Sequence, residues 1–240
     1  MRLAIVSGGS RGLGEALCQR LQQSGYTLLE LSRSAPHSFS LSLDFADPAS
    51  AQAKLADALA SLSRQSWDEI LYVHCAATLD PIGPASRKAS VDVLANLNTN
   101  FTTSLLIVTA VVAAFQQHAC RKCIANVSSG AATKPYAGWS LYCAGKAGVE
   151  HFIRALAVEQ ALQAQPFAAI NINPGVIDTD MQAGIRATTA EDFPDVARFI
   201  QRHADGGLRP AGVVADALLN ILRLPDLQGG MTYDVANHLV

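Results

Sequence analysis

Short apolar runs alternate with longer segments of helical spacing from the first residue to the last. The runs near 2–7, 27–32, 39–43, 69–75, 122–128, 167–173 and 230–234 predict strands. The segments near 12–24, 48–63, 87–117, 141–163 and 211–223 predict helices. Most strand runs show no clean alternation, as in Leu71-Tyr72-Val73 and Ala168-Ala169-Ile170, which is expected when both faces of a sheet are covered. Strands alternating with helices give an α/β, doubly wound parallel sheet with helices on both faces. No repeat, low-complexity tract or linker divides the chain, so 1–240 reads as a single domain. The stretch around 178–208, where Gly, Asp, Pro and Thr interrupt apolar positions, reads as a long irregular loop of the kind that forms lids or binding sites. Ser104 to Phe115 is apolar nearly all round and needs cover on more sides than one sheet face provides, which predicts a homo-oligomer, dimer or tetramer.

Composition narrows the function classes. Half the residues are apolar and the net charge is −2, which permits a large core and supplies no basic stripe for nucleic acid or anionic membrane surfaces. The five cysteines have no framework spacing, and the lone Cys120/Cys123 pair lacks a second ligand pair; reduced thiols in the cytoplasm and no metal are expected. The apolar runs at 3–6 and 104–115 are too short for a signal-peptide core and a membrane span respectively.

Chemistry starts at the first turn. Ser7-Gly8-Gly9-Ser10-Arg11-Gly12-Leu13-Gly14 follows the first strand and opens a helix, a place where glycines allow close approach of a phosphate and helix amides supply donors. Glycines at 8, 12 and 14 resemble the T-G-x-x-x-G-x-G turn of the short-chain dehydrogenase/reductase family, with Ser7 for Thr. That resemblance implies a Rossmann-like fold and a nicotinamide cofactor. In such folds an acid at the end of the second strand binds a ribose 2′-OH, whereas an arginine accommodates a 2′-phosphate. Here the strand ends Leu31-Ser32-Arg33 with Arg11 in the turn before it, and Glu30 stands one step inside, so NADP(H) is expected.

Tyr142 and Lys146, four residues apart on a helical run, share one face. A phenol with an ordinary pKa near 10 needs a neighbouring ammonium to work near neutral pH, so Lys146 is expected to lower the Tyr142 pKa. The resemblance implies a third catalytic residue at Ser129, to orient a substrate carbonyl, and a helix asparagine at Asn100, whose backbone carbonyl helps hold a water against the lysine. Asn96 and Asn98 leave that register open. It also implies that Asn173-Pro174-Gly175-Val176-Ile177-Asp178-Thr179 meets the nicotinamide, with Pro174, Gly175, Ile177 and Thr179 in the cofactor set. Gly8, Ser10, Arg11, Gly12, Leu13, Gly14, Arg33, Asp44, Ala76, Asn100, Tyr142 and Lys146 complete it. One departure stands out: where the family has N-N-A-G after its fourth strand, this chain has His74-Cys75-Ala76-Ala77.

The run 174–182 and the ending Gly229-Gly230-Met231-Thr232-Tyr233-Asp234 resemble the sepiapterin reductase and benzil reductase branch. The resemblance implies an NADPH-dependent carbonyl reductase for a ketone or dicarbonyl, with Tyr142 as proton donor. Substrate residues are then Ser129, Tyr136, Trp139, Tyr142, Met181 and Asp234, although an Asp ending a last strand also serves simply as a turn residue. An NAD-dependent alcohol dehydrogenase and a non-catalytic NADP-binding regulator remain as alternatives.

Overall fold

The computed structural model describes residues 1–239. Seven strands lie parallel in the order β3-β2-β1-β4-β5-β6-β9: β1 Arg2–Ser7, β2 Thr27–Ser32, β3 Ser40–Ser42, β4 Glu69–His74, β5 Arg121–Val127, β6 Ala168–Asn173 and β9 Thr232–Asp234. β1 pairs with β2 on one side and β4 on the other, so the strand order reverses there. Helices α1 Gly12–Gln23 and α8 Ala211–Leu222 cover one face, over Val6, Leu71, Ala125 and Ile170. Helices α2 Pro48–Leu62, α4 Thr103–Phe115 and α5 Ser140–Gln160 cover the other, over Ile5, Tyr72 and Ile124. With both faces occupied, neither strand face can alternate with polar residues, hence the continuous apolar runs.

Two expectations change. The helix expected near 87–117 is α3 Ser90–Leu97, a π-helical turn at Asn98–Thr102, and then α4. By length and composition the helical stretch Ser90–Phe115 is apolar enough to cross a membrane, with a mean hydropathy of 1.5 over its most apolar window, yet Ile107, Val108, Val111 and Phe115 are buried in the core. The stretch 178–208 is not irregular: β7 Ile177–Asp178 pairs with β8 Arg209–Pro210, and between them lie α6 Asp180–Arg186 and α7 Val196–Ala204. Its apolar residues pack locally, with Ile185, Phe193, Val196 and Phe199 forming a third cluster with Trp139 and Tyr142.

His74 replaces the family asparagine without leaving a gap. Its Nδ1 lies 2.7 Å from Ser7 Oγ and 3.2 Å from Tyr72 Oη, tying β1 to β4 in the core. Burial pushes its pKa down to about 3, and the nearby Lys146 charge acts in the same direction. Because the unfolded chain binds this proton below about 6.5 and the folded chain refuses it until about 3, stability is complete above 6.5 and falls as pH drops between those values. The slope from this one group reaches about 1.4 kcal/mol per pH unit. Thermal melts from pH 7 to pH 4 should show a steeper loss for the parent than for His74→Asn; parallel curves would exclude His74 as a source of acid sensitivity.

Candidate active site

A cavity of about 1360 Å³ opens along the carboxyl ends of the strands, between the glycine turn after β1 and the loops after β4, β5 and β6. That is the crevice an α/β sheet offers where its strand order reverses, and it exceeds the roughly 300–1,000 Å³ that one small ligand fills.

At one end, Gly8, Ser10, Arg11, Gly12, Leu13 and Gly14 line the wall. Two glycines there are required by contact: a Cβ on Gly14 would lie 2.1 Å from the Gly8 carbonyl oxygen, and one on Gly8 would lie 2.7 Å from the Ala76 nitrogen. Arg11 begins α1 with no side-chain cap, so the first-turn amides are left for a ligand. A chain-tight turn with uncapped amides fits a dinucleotide pyrophosphate. Arg33, Asp44 and Ala76 also line this region. Arg33 makes no ion pair among the described residues, while Arg11 lies 3.6 Å from Asp180. Glu30 is fully buried: Oε1 accepts the Gly9 amide at 2.9 Å and Oε2 the Ser32 hydroxyl at 3.1 Å. Its carboxylate is therefore not presented to the groove.

At the middle of the cavity stand Ser129, Tyr142 and Lys146. Ser129 is held extended beyond β5, its Oγ accepting the Ala131 amide at 3.1 Å. The preceding Ser128 is fixed to α5 by donating to the buried Glu150 at 2.5 Å. Burial pushes the Tyr142 phenol up to about 12, and the polar Ser129 side chain opposes that rise. Burial pushes Lys146 down to about 8. Lys146 Nζ donates to the Val127 carbonyl at 2.8 Å and sits 5.8 Å from the Tyr142 ring centroid. The expected lowering of the phenol pKa is thus corrected: with both groups out of water, desolvation governs each, and Tyr142 is a neutral phenol at pH 7. Pro174, Gly175, Ile177 and Thr179 line the cavity across from them. Asn100 lies behind its wall in the π-helical turn, its side chain exchanging two 2.8 Å bonds with the Thr78 backbone.

The remaining end is aromatic. Trp139 stacks on Phe193 at 4.4 Å and meets Tyr142 nearly edge-on at 6.0 Å, while Tyr136 lies 4.9 Å from Trp139. Met181 lines the same end. Asp234 does not: its Oδ2 accepts Asn173 Nδ2 at 3.0 Å and its Oδ1 the Ala236 amide at 2.8 Å, so it serves as a turn residue. Sequence reasoning missed Gln182, Ile185, Arg198, Phe199 and Arg202, which line the cavity from α6 and α7. The spacing of Phe193, Val196, Phe199 and Ile200 was the available signal for a helix there.

The chain is similar to known proteins along its length. Benzil reductase ((S)-benzoin forming) of Bacillus subtilis is 30% identical over the whole of both chains. Sepiapterin reductase of Mus musculus is 30% identical over 97% of this chain and 95% of its own. The crystal structure of the KRED1-Pglu enzyme superposes with a TM-score of 0.81 at 26% identity, over 97% of this chain and all of that one. The pattern of the family described as short chain dehydrogenase matches residues 2–190, and with it spanning the glycine turn, Ser129, Tyr142 and Lys146, the chain belongs to that family of oxidoreductases.

Proposed function

We propose that the chain is an NADPH-dependent carbonyl reductase acting on an aryl ketone or vicinal dicarbonyl, with Tyr142 delivering the proton. The observation that carries this reading is the buried phenol, protonated at neutral pH, in the wall of a cavity that Ser129 and Lys146 also line and whose next surface is aromatic. Bound reduced nicotinamide would supply the hydride. Ser129 orients the substrate oxygen beside the phenol, Tyr142 gives that oxygen its proton, and the Lys146 ammonium offsets the phenolate charge left behind. Tyr136, Trp139 and Phe199 give the remaining end of the cavity an aromatic wall, with Phe193 stacked behind Trp139. The similarity to benzil reductases supports a substrate with flat aryl groups.

Arg33, without an acidic partner, supports NADPH over NADH, and the inward engagement of Glu30 weighs against an NAD-dependent alcohol dehydrogenase. A non-catalytic binding protein has no need of an oriented, buried phenol. NADPH and NADH oxidation against aryl dicarbonyls, pterins and simple ketones tests the reading. Arg33→Ala should cost about tenfold or more in kcat/KM with NADPH, the worth of a charge-assisted phosphate contact of roughly 1.5–3 kcal/mol, and much less with NADH. Equal losses would remove Arg33 from cofactor choice, and no turnover of any carbonyl would overturn the reductase reading.

A further inference from the structure

A buried carboxylate is costly unless its oxygens are satisfied. Glu30 is wholly buried and forms no ion pair among the described residues, so its two hydrogen bonds carry the whole compensation. They go to two different parts of the cofactor groove. Oε1 accepts the amide of Gly9, in the middle of the glycine turn, at 2.9 Å. Oε2 accepts the hydroxyl of Ser32, at the end of β2, at 3.1 Å.

The second arm continues. Ser32 Oγ accepts the amide of Ala35 at 3.2 Å, and Ala35 has φ +42, a left-handed conformation that a residue with a Cβ keeps only when its surroundings hold it. Ser32 and Ala35 bracket Arg33. From the other side His37, stacked on Phe39 at 4.8 Å, places Nε2 3.3 Å from the Gly9 carbonyl oxygen. Both backbone polar groups of Gly9 are therefore engaged by the segment that carries Arg33. Nor is there room to shift: a Cβ at Gly9 would lie 2.5 Å from Glu30 Cγ and 2.7 Å from Cys18 Sγ.

A carboxylate beside a groove for a polyanion is electrostatically unfavourable, so what it contributes must be geometric. We propose that Glu30 is a positioning residue that locks the pyrophosphate turn to the Arg33 loop, so that the two anion-binding ends of the groove are set at one spacing. It rests on the reading above that Arg33 meets the 2′-phosphate. Loss of Glu30 loosens Gly9, which matters to either cofactor, and also frees the Arg33 loop, which matters to NADPH alone.

The test is binding without turnover: fluorescence titration of NADPH and of NADH. Glu30→Met, which keeps the volume and removes both acceptors, should raise the NADPH Kd at least tenfold and the NADH Kd several-fold less. Glu30→Gln, whose amide can still accept from Gly9 and bond Ser32, should stay within about fivefold of the parent, because exchanging these bonds for neutral ones changes them by about 1 kcal/mol or less. In an Arg33→Ala background the Glu30→Met change should no longer alter the NADPH/NADH ratio, since residues that act through one another are non-additive. Ser32→Ala severs only the loop arm and should lower the same ratio, again only when Arg33 is present; it reads the proposal even if Glu30→Met does not fold. Equal weakening of both cofactors, or the same ratio change with and without Arg33, would overturn the coupling and leave Glu30 as a mere prop of the turn. A parent that binds NADPH no better than NADH would overturn the underlying cofactor reading, and does so before any variant is made.

Discussion

Tyr142→Phe should turn over an aryl carbonyl about 10²–10⁴ times more slowly than the parent, the range of a lost general acid. The phenyl ring keeps the edge-on contact with Trp139 at 6.0 Å and the packing of the aromatic cluster, so the fold and the cavity wall survive. What disappears is the proton. At neutral pH that proton is on the phenol, because burial holds its pKa near 12, and the phenol lines the cavity together with Ser129. The loss should fall on kcat and kcat/KM alike, as for an interaction made only in the transition state, while the NADPH dissociation constant stays close to that of the parent. A Tyr142→Phe protein within a few-fold of the parent on a good substrate would take the tyrosine out of the mechanism.

The glycine turn, the Tyr142/Lys146 spacing and the succession of strands and helices were legible in the sequence because each is local: a turn needs its glycines, and two residues four apart on a helix share a face. Ser129 and the 173–179 segment were legible only through resemblance, since nothing in the sequence of β5 or β6 says which loop will face the helix. What could not be read depends on burial. The environment of Tyr142 was misjudged because a pairing rule says that lysine lowers a phenol pKa, whereas the balance is set by how much water both groups lose on folding. The position of Glu30 inside β2 was legible, but its partners were not, because Gly9 and Ser32 meet its oxygens only in the folded core. The 178–208 stretch hid two helices because each is short, and their apolar positions answer to Trp139 rather than to the sheet. Asp234 was read by analogy with a ligand anchor, but at the end of β9 its carboxylate satisfies Asn173 and the Ala236 amide.

Carbonyl reduction should hold steady up to about pH 8 and decline above it, and Lys146→Met should abolish that inflection along with most of the activity. The lysine pKa is depressed to about 8 because the ammonium is buried, so the charged form is present below that value and lost above it. Tyr142 keeps its own proton across this window, its pKa lying near 12. The proton donor is therefore present at pH 9, and what has gone is the positive charge that would offset the phenolate as the proton leaves. The decline should appear in kcat/KM, which reports the free enzyme. Lys146→Met roughly preserves the volume of the side chain and removes the charge and the bond to the Val127 carbonyl. Removing one preorganised charge from a site where it develops its effect in the transition state costs about 10²–10³ in kcat. Because Lys146 also lines the cavity between the glycine turn and the substrate end, NADPH affinity should fall too, which separates this variant from Tyr142→Phe. A Lys146→Met protein whose remaining activity still declined with the same midpoint would assign the titration to another group. One that kept parental turnover would show that Tyr142 gives up its proton without help from the charge.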